Sequence, residues 1–426
     1  MSAASQRPSA IAIAVAGCVA LAVAMGIGRF AFTPILPMML HDGVVDLHAA
    51  SWLASANYLG YLSGALLCTF VPLLWSRMPN RKPIDGPALV RAGLAATGVL
   101  TLAMALPAPA AWPPLRFLAG VASSMVFVFG SAWCLTQLAL RGRAALGGAM
   151  FAGPGAGIVA SGLLASALVA AGRASALAWL VFGLLACVLS ASIWRVFRSR
   201  ADERDAVRPV VASQLNEAGG EPSRDASAPL ATTHPHSEVA ALAFAYGISG
   251  FGYIVTATFL PVIARAALPA DSPWLDLFWP IFGAGVILGA LLATRVRVSG
   301  DLRVVLAGAY VIQSIAIAIG LASPTAAGFA LGSFLLGLPF TAITYFALQE
   351  VRRLRPEHVA ATTGLVTALW SIGQTAGPPM VALLLRRTSG VGAAFTLSLA
   401  VAAGALVAGA AVFLASSRLW PRSAAR

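Results

Sequence analysis

Long apolar segments follow one another along almost the whole chain, and they limit the possible folds more than any other feature. The chain has 426 residues, of which 59% are hydrophobic and only 10% are charged, whereas a soluble domain has about 25% charged residues. A helix needs about 20 apolar residues to cross a bilayer, and the sequence contains twelve runs of that kind. We therefore predict an all-α polytopic membrane protein with twelve transmembrane helices.

A polar stretch near the middle of the chain divides these runs into two sets of six. Residues 198–238 combine Arg, Asp, Glu, Ser, Pro and Gly with few large apolar side chains. Such a composition does not bury enough apolar surface to fold. The predicted organisation is a six-helix bundle over residues 1–197, a disordered cytoplasmic linker over 198–238 and a second six-helix bundle over 239–426.

The two halves carry matching landmarks, which indicate a duplicated unit. A Gly-x-Gly pair that begins at Gly26 recurs at Gly250, and Gly153-Pro154 recurs as Gly377-Pro378, both 224 residues later. Six helices separate the corresponding segments, so the repeats are parallel. Parallel repeats of this size are found in transporters whose halves rock about a central binding site.

The distribution of positive charge predicts the orientation in the membrane. With the N-terminus inside, 22 Lys and Arg fall in predicted cytoplasmic segments and four in outer loops. This bias predicts that both termini are cytoplasmic. We expect the membrane to be a bacterial inner membrane. Because the net charge of +13 is spread over short loops, we expect no nucleic-acid partner. The four cysteines lie singly in apolar runs, without disulfide or metal-ligand spacing. We therefore expect neither a metal nor another cofactor.

Arg29 is a permanent positive charge inside the first apolar run. An arginine at that depth is costly, and the usual explanation is a functional site that faces the bundle interior. Alternatively, the side chain snorkels to the outer interface. Asn57 and Tyr61 share one face of the second predicted helix, and both side chains can hydrogen-bond to a guanidinium group. Arg116, one turn into the fourth predicted helix, is either a second charge of the site or an interfacial anchor.

Acidic residues are absent from the middle of every predicted helix. The positive charges of Arg29 and Arg116 therefore lack a counter-ion unless acids at the helix ends reach them. Since the planar guanidinium group suits carboxylates and phosphates, we hypothesise that the substrate supplies the negative charge. Three further polar side chains complete the predicted binding site: Gln137, Gln374 and Tyr253, which takes the place of Arg29 in the second repeat.

Two segments rich in glycine and proline lie in the fifth and eleventh predicted helices. Each contains a Gly-x-x-x-Gly pattern, which lets helices approach closely, and each contains a proline, which permits a kink. We expect close helix packing at these positions and, in addition, a hinge for the rocking motion. The residues concerned are Gly153, Pro154, Gly157, Gly373, Gly377 and Pro378.

Three segments resemble one family of transporters. They are residues 28–37 (GRFAFTPILP), 56–66 (ANYLGYLSGAL) and 373–378 (GQTAGP). With them the chain resembles the major facilitator superfamily (MFS) and, within it, the YbfB/YjiJ-type branch. The resemblance implies alternating-access transport of a small solute, coupled to protons, by a monomer. The superfamily's loop between the second and third helices usually carries a gating aspartate, which residues 75–83 (WSRMPNRKP) lack.

The predicted function is secondary active transport of a small organic anion, held by Arg29 and Arg116. No P-loop signature indicates a bound nucleotide, and we do not expect an enzyme. Two alternatives stay open. A drug/proton antiporter that exports apolar compounds would keep both arginines away from the cavity, and a transport-inactive membrane sensor would usually carry an added signalling domain.

Overall fold

The computed structural model of the chain describes residues 8–76, 85–143, 146–197, 235–295, 300–355 and 359–421. Within these ranges the backbone forms helices joined by turns, without a β-strand. Most of the predicted linker, residues 198–234, lies outside the described residues, as do residues 77–83 of the loop that lacks the aspartate. The second half begins with a helix at His236, slightly before the predicted boundary.

The helices are numbered α1 to α15 in chain order. The first half contains Ala10–Leu21 (α1), Phe32–His41 (α2), Leu47–Ser76 (α3), Gly86–Ala103 (α4), Trp112–Leu140 (α5), Gly147–Met150 (α6), Gly153–Ala170 (α7) and Ser175–Ile193 (α8). The second half contains His236–Ala267 (α9), Phe278–Ala293 (α10), Leu302–Ala322 (α11), Ala326–Gly337 (α12), Phe340–Leu354 (α13), Val359–Arg387 (α14) and Val391–Leu419 (α15).

Several of these helical stretches have the length and composition of membrane spans. Among the described residues, nine stretches are long and apolar enough to cross a bilayer, and α10 is a shorter apolar helix. The all-helical, multi-span class predicted from composition is therefore confirmed. The count of twelve helices and their division into two bundles stay predictions.

The first apolar run is not the single helix that the sequence predicts. It consists of α1, a π-helical turn at Ala22–Ile27 and α2. The amide of Gly28 bonds to the carbonyl of Val23, five residues earlier, at 2.8 Å. Pro34 explains the break between the π-helical turn and α2, because proline has no amide hydrogen and its ring clashes with the carbonyl four residues before it. Arg29 lies in the turn between the π-helical segment and α2, outside regular helix.

Prolines lie at breaks in the fifth and tenth predicted helices and inside the eleventh. The fifth is interrupted between Met150 and Gly153, and Pro154 stands in the first turn of α7, a position that needs no amide hydrogen. The tenth is interrupted at Pro339, directly before α13. Pro378 lies inside the continuous helix α14. Equivalent prolines of the two repeats thus begin a helix in one half and sit within a helix in the other.

Two helix pairs join the halves. Helix α3 packs along α14, and α7 packs along α10. The contact between α3 and α14 extends from His48 and Arg386, with Nε2 and Nη2 2.7 Å apart, to Thr69 and Gly364 near the other end of both helices. The turn that holds Arg29 is enclosed between these contacts.

A buried ionic cluster joins helix ends of the second half. The guanidinium group of Arg303, in the first turn of α11, donates to Glu238 of α9 at 2.8 Å and to Asp301 at 2.7 Å. Arg353, near the end of α13, pairs with Glu238 at 2.7 Å and with Glu350 at 2.6 Å. The sequence pattern places Arg303 in a cytoplasmic loop and the acids at helix ends. The structure instead buries Arg303, Glu238 and Glu350, each no more than 2% exposed.

We expect Arg303→Met to destabilise the protein by about 3–5 kcal/mol, because it removes the buried cation that pairs with Glu238 and Asp301. Thermal unfolding of the purified protein in detergent measures the effect. Arg352→Met removes the same charge from an exposed neighbouring position and should change stability by no more than about 0.5 kcal/mol. Equal unfolding temperatures for the two variants would contradict a structural role of the cluster.

Candidate functional site

Arg29 lies in the contact between the two halves of the chain. Its side chain is buried, with 1% of its surface exposed, which does not fit a side chain that snorkels to the interface. Nη2 of Arg29 donates a hydrogen bond to Oε1 of Gln374 on α14. Nε2 of Gln374 in turn donates to the hydroxyl of Tyr253 on α9. One glutamine therefore links two side chains that occupy equivalent positions in the repeats.

Aromatic rings surround the guanidinium group of Arg29. Its Cζ atom lies 4.1 Å from the ring centroid of Tyr61, 5.1 Å from that of Tyr58 and 5.6 Å from that of Trp370, which are cation–π distances. Trp370 also stacks on Tyr253, with ring centroids 5.9 Å apart and planes inclined by 17°. The rings come from both halves, and they stabilise the positive charge without neutralising it.

The guanidinium group of Arg29 keeps unused hydrogen-bond donors. Among the described residues, neither Nε nor Nη1 has a hydrogen-bond partner. The ion pairs found in that part of the chain lie elsewhere, at Arg265, Arg303 and Arg353. A guanidinium group carries five N–H donors, of which three belong to Nε and Nη1. These are the donors that a carboxylate or phosphate group would use at a guanidinium group.

Arg116 bonds to the backbone of the turn that carries Arg29. Its Nη1 and Nη2 donate to the carbonyl oxygens of Gly28 and Arg29 at 3.2 and 3.1 Å. Buried carbonyl groups need such partners, and the break in the first run removes the regular helical ones. Two of the three guanidinium nitrogens of Arg116 thus hold the turn in place. This geometry supports a role of Arg116 in positioning Arg29 more than the predicted contact between Arg116 and the substrate.

Asn57 and Tyr61 share a face of α3, as their spacing predicts, but they contact different groups. Nδ2 of Asn57 donates to the carbonyl oxygen of Arg116 at 2.9 Å. The ring of Tyr61 covers the guanidinium group of Arg29. Tyr61 therefore contacts Arg29, whereas Asn57 supports the helix that carries Arg116. Oδ1 of Asn57 does not accept the predicted hydrogen bond from Arg29.

Gln137 lies far from this cluster. It belongs to the last turn of α5, about 30 Å from Arg116 along the same helix at 1.5 Å per residue. Its Oε1 accepts a hydrogen bond from Arg141. The structure therefore does not bring Gln137 together with Arg29, Tyr61, Tyr253 and Gln374, and the prediction that it shares their site is corrected.

Two more hydrogen bonds connect the halves. Oγ1 of Thr33 donates to the carbonyl oxygen of Ala257 at 2.8 Å, and these residues are again 224 positions apart. The hydroxyl groups of Tyr58 and Thr258 lie 2.8 Å apart. Sequence reasoning did not single out these four residues. The repeat offset could have indicated the Thr33 contact, whereas nothing local distinguishes Tyr58 from other aromatic residues of membrane helices.

The predicted packing residues lie where helices approach closely. A Cβ atom at any of the four glycines would lie less than 3.0 Å from a neighbouring atom, so each contact depends on the missing side chain. Pro154 and Pro378 are next to two of these contacts, and their use as hinges stays a prediction. The nearest neighbours are the carbonyl oxygen of Cys18 for Gly153, that of Ala22 for Gly157, that of Gly247 for Gly373 and the side chain of Ile254 for Gly377.

Comparisons with known proteins identify a family and a fold. A family model described as uncharacterised MFS-type transporter YbfB matches residues 21–414. A comparison with curated proteins finds no significant match. Crystal structures of the nucleoside transporter NupG and of a variant of it each align with a TM-score of 0.64 at 13% identity, over 96% and 95% of this chain and 98% and 99% of theirs. Similarity at this level of identity establishes a shared fold.

Proposed function

The chain belongs to the family of YbfB-type MFS transporters, and on that premise we propose that it is a secondary active transporter of a small organic anion. Transport of a small molecule across a membrane follows from the family. The observation that supports an anion is the buried guanidinium group of Arg29, with Nε and Nη1 unpaired among the described residues.

The energetic argument concerns the charge of Arg29. Removal of a cation from water costs several kcal/mol, even after the protein relaxes around it. Part of this cost is offset by the side-chain oxygen Oε1 of Gln374 and by the rings of Tyr58, Tyr61 and Trp370. None of these groups carries a negative charge. A substrate carboxylate or phosphate would supply that charge and two hydrogen bonds in the plane of the guanidinium group. The same site repels cations.

The contacts between the halves support transport by alternating access. Helices α3 and α14 touch near both of their ends, at His48 with Arg386 and at Thr69 with Gly364. We infer that this conformation is occluded, with Arg29 enclosed between the two halves. Separation of α3 from α14, and of α7 from α10, at one end would expose the site to that side of the membrane.

We also propose a coupling ion and an orientation in the membrane. Proton coupling rests on the family resemblance alone. The described hydrogen bonds and ion pairs of Arg29 include no carboxylate, so the site itself gives no support for it. The excess of arginine in predicted cytoplasmic segments supports cytoplasmic termini. The protein would work as a monomer in a bacterial inner membrane.

Export of apolar compounds is a second candidate, and the rings around Arg29 favour it. Tyr61, Trp370 and Tyr253 would bind a flat apolar solute by stacking. The unpaired cation among these rings opposes it, because an apolar solute leaves the charge of Arg29 uncompensated. A transport-inactive sensor would bind a ligand without moving it.

Uptake into proteoliposomes distinguishes these candidates. We expect labelled carboxylates or phosphate esters to accumulate above the level of protein-free liposomes, and faster under an imposed pH gradient. A sulfonate analogue, which stays charged, controls for passive entry of protonated acid. Transport of a quaternary ammonium cation or a nucleoside, without transport of any anion, would overturn the proposal. Binding of an anion with no uptake under any gradient would support a sensor.

A further inference from the structure

A groove between α4 and α8 lies on the surface of the first half, apart from the Arg29 site. Its volume is about 470 Å³. Apolar side chains line most of it, including Leu94 and Val99 on α4. Trp194 and Arg195, which directly follow the end of α8, also line it. The groove therefore combines an apolar part within two candidate membrane spans and a polar mouth at one end of them.

Arg195 lines the groove at this end, and Arg91 lies beside it, against Trp194. Arg91, in the second turn of α4, places its Cζ atom 5.6 Å from the ring of Trp194. Its Nε is buried and has no hydrogen-bond partner among the described residues. Arg195 is exposed, and the ion pairs in the described ranges involve neither arginine. Arginines of this kind match the charge of a phosphate group.

Ser190 adds an unpaired polar group inside the groove. Its side chain is 4% exposed, and its Oγ has no hydrogen-bond partner among the described residues. A serine in a helix commonly bonds to a carbonyl three or four residues earlier, as Ser192 does to Leu189 at 2.7 Å. The hydroxyl of Ser190 remains available to an oxygen atom of a ligand that enters the groove.

We propose that this groove binds one anionic phospholipid. Its acyl chain would lie against Leu94 and Val99, an oxygen of its ester or phosphate groups would accept a hydrogen bond from Ser190, and its phosphate would lie between Arg91 and Arg195. A soluble anion would use the mouth and leave the apolar part unused, whereas a phospholipid matches both. Basic pockets between membrane helices are known to bind anionic headgroups. The inference is independent of what the protein transports.

Native mass spectrometry of the full-length protein in detergent tests the proposal. We expect retention of one added phosphatidylglycerol, and weaker retention of phosphatidylcholine with the same acyl chains. Arg91→Gln combined with Arg195→Gln should weaken phosphatidylglycerol binding about thirtyfold, from the usual contribution of two basic residues near a membrane surface. Arg143→Gln combined with Arg352→Gln is the matched control, since both arginines are exposed and lie in predicted cytoplasmic segments.

A second variant tests the groove without any change of charge. Ala191 lines the groove and is exposed, so Ala191→Trp should fill it, leave folding intact and reduce phosphatidylglycerol retention at least tenfold. Thermal unfolding confirms that each variant is folded. Equal retention of the two lipids by the unmodified protein would overturn the proposal. The proposal would also be overturned if phosphatidylglycerol retention changed by less than threefold in both the double-arginine variant and Ala191→Trp.

Discussion

Arg29→Ala should lower the initial rate of anion uptake by at least about a hundredfold. The substitution removes the positive charge that faces the substrate and the two charge-assisted hydrogen bonds that Arg29 donates to it. Each such bond contributes about 1.5–3 kcal/mol. Arg29→Lys keeps the charge but loses the planar pair of donors, so its rate should fall between those of Arg29→Ala and the unmodified protein. Uptake of a labelled anion into proteoliposomes with equal protein content measures both effects.

The control for this prediction is Arg173→Ala, which removes the same charge from an exposed turn and should leave uptake unchanged. Circular dichroism and size-exclusion chromatography show whether each variant is folded. We expect Arg29→Ala to fold, since the change also removes a buried charge whose desolvation is costly. Normal anion uptake by folded Arg29→Ala would rule out Arg29 as the binding group.

Gln374→Glu should abolish anion uptake and leave the protein folded. The oxygen atom that accepts a hydrogen bond from Arg29 would then belong to a carboxylate, and the charge of Arg29 would be neutralised inside the protein. An anionic substrate would have to displace a tethered carboxylate, which has a high effective concentration. We expect a decrease of more than about a hundredfold in rate, since a close charge pair near a protein surface already interacts with about 4 kcal/mol.

Gln374→Leu is the matched variant, because it removes the hydrogen bond and adds no charge. Arg29 then keeps all its donors for the substrate, and uptake should stay within about tenfold of the unmodified rate. Rapid uptake by Gln374→Glu would contradict competition for Arg29. If both variants were folded and equally inactive, Gln374 would be required for a reason other than charge.

The repeat offset of 224 residues predicted more of the site than any single motif. It marked Arg29 and Tyr253 as equivalent positions, and both side chains contact Gln374. It did not predict that they share a partner. That contact depends on where α14 crosses the first half, and local spacing carries no information about such a crossing.

Arg116 and Gln137 show where residue type alone stops being informative. Both are polar residues of one apolar helix, and the sequence pattern made both candidates for the same site. Arg116 contacts the turn around Arg29, where the carbonyl oxygens of Gly28 and Arg29 lie outside regular helix and accept its hydrogen bonds. Gln137 lies at the far end of α5, where Arg141 is its partner.

Composition and hydropathy were sufficient for the membrane class, and three short segments were sufficient for the family, because both depend on local residue content. The neighbours of Arg29 and the ionic cluster around Arg303 required the folded chain. A side chain meets its partners only where helices far apart in sequence converge. Which faces converge is a property of helix crossings and breaks, and periodicity along one helix does not specify it.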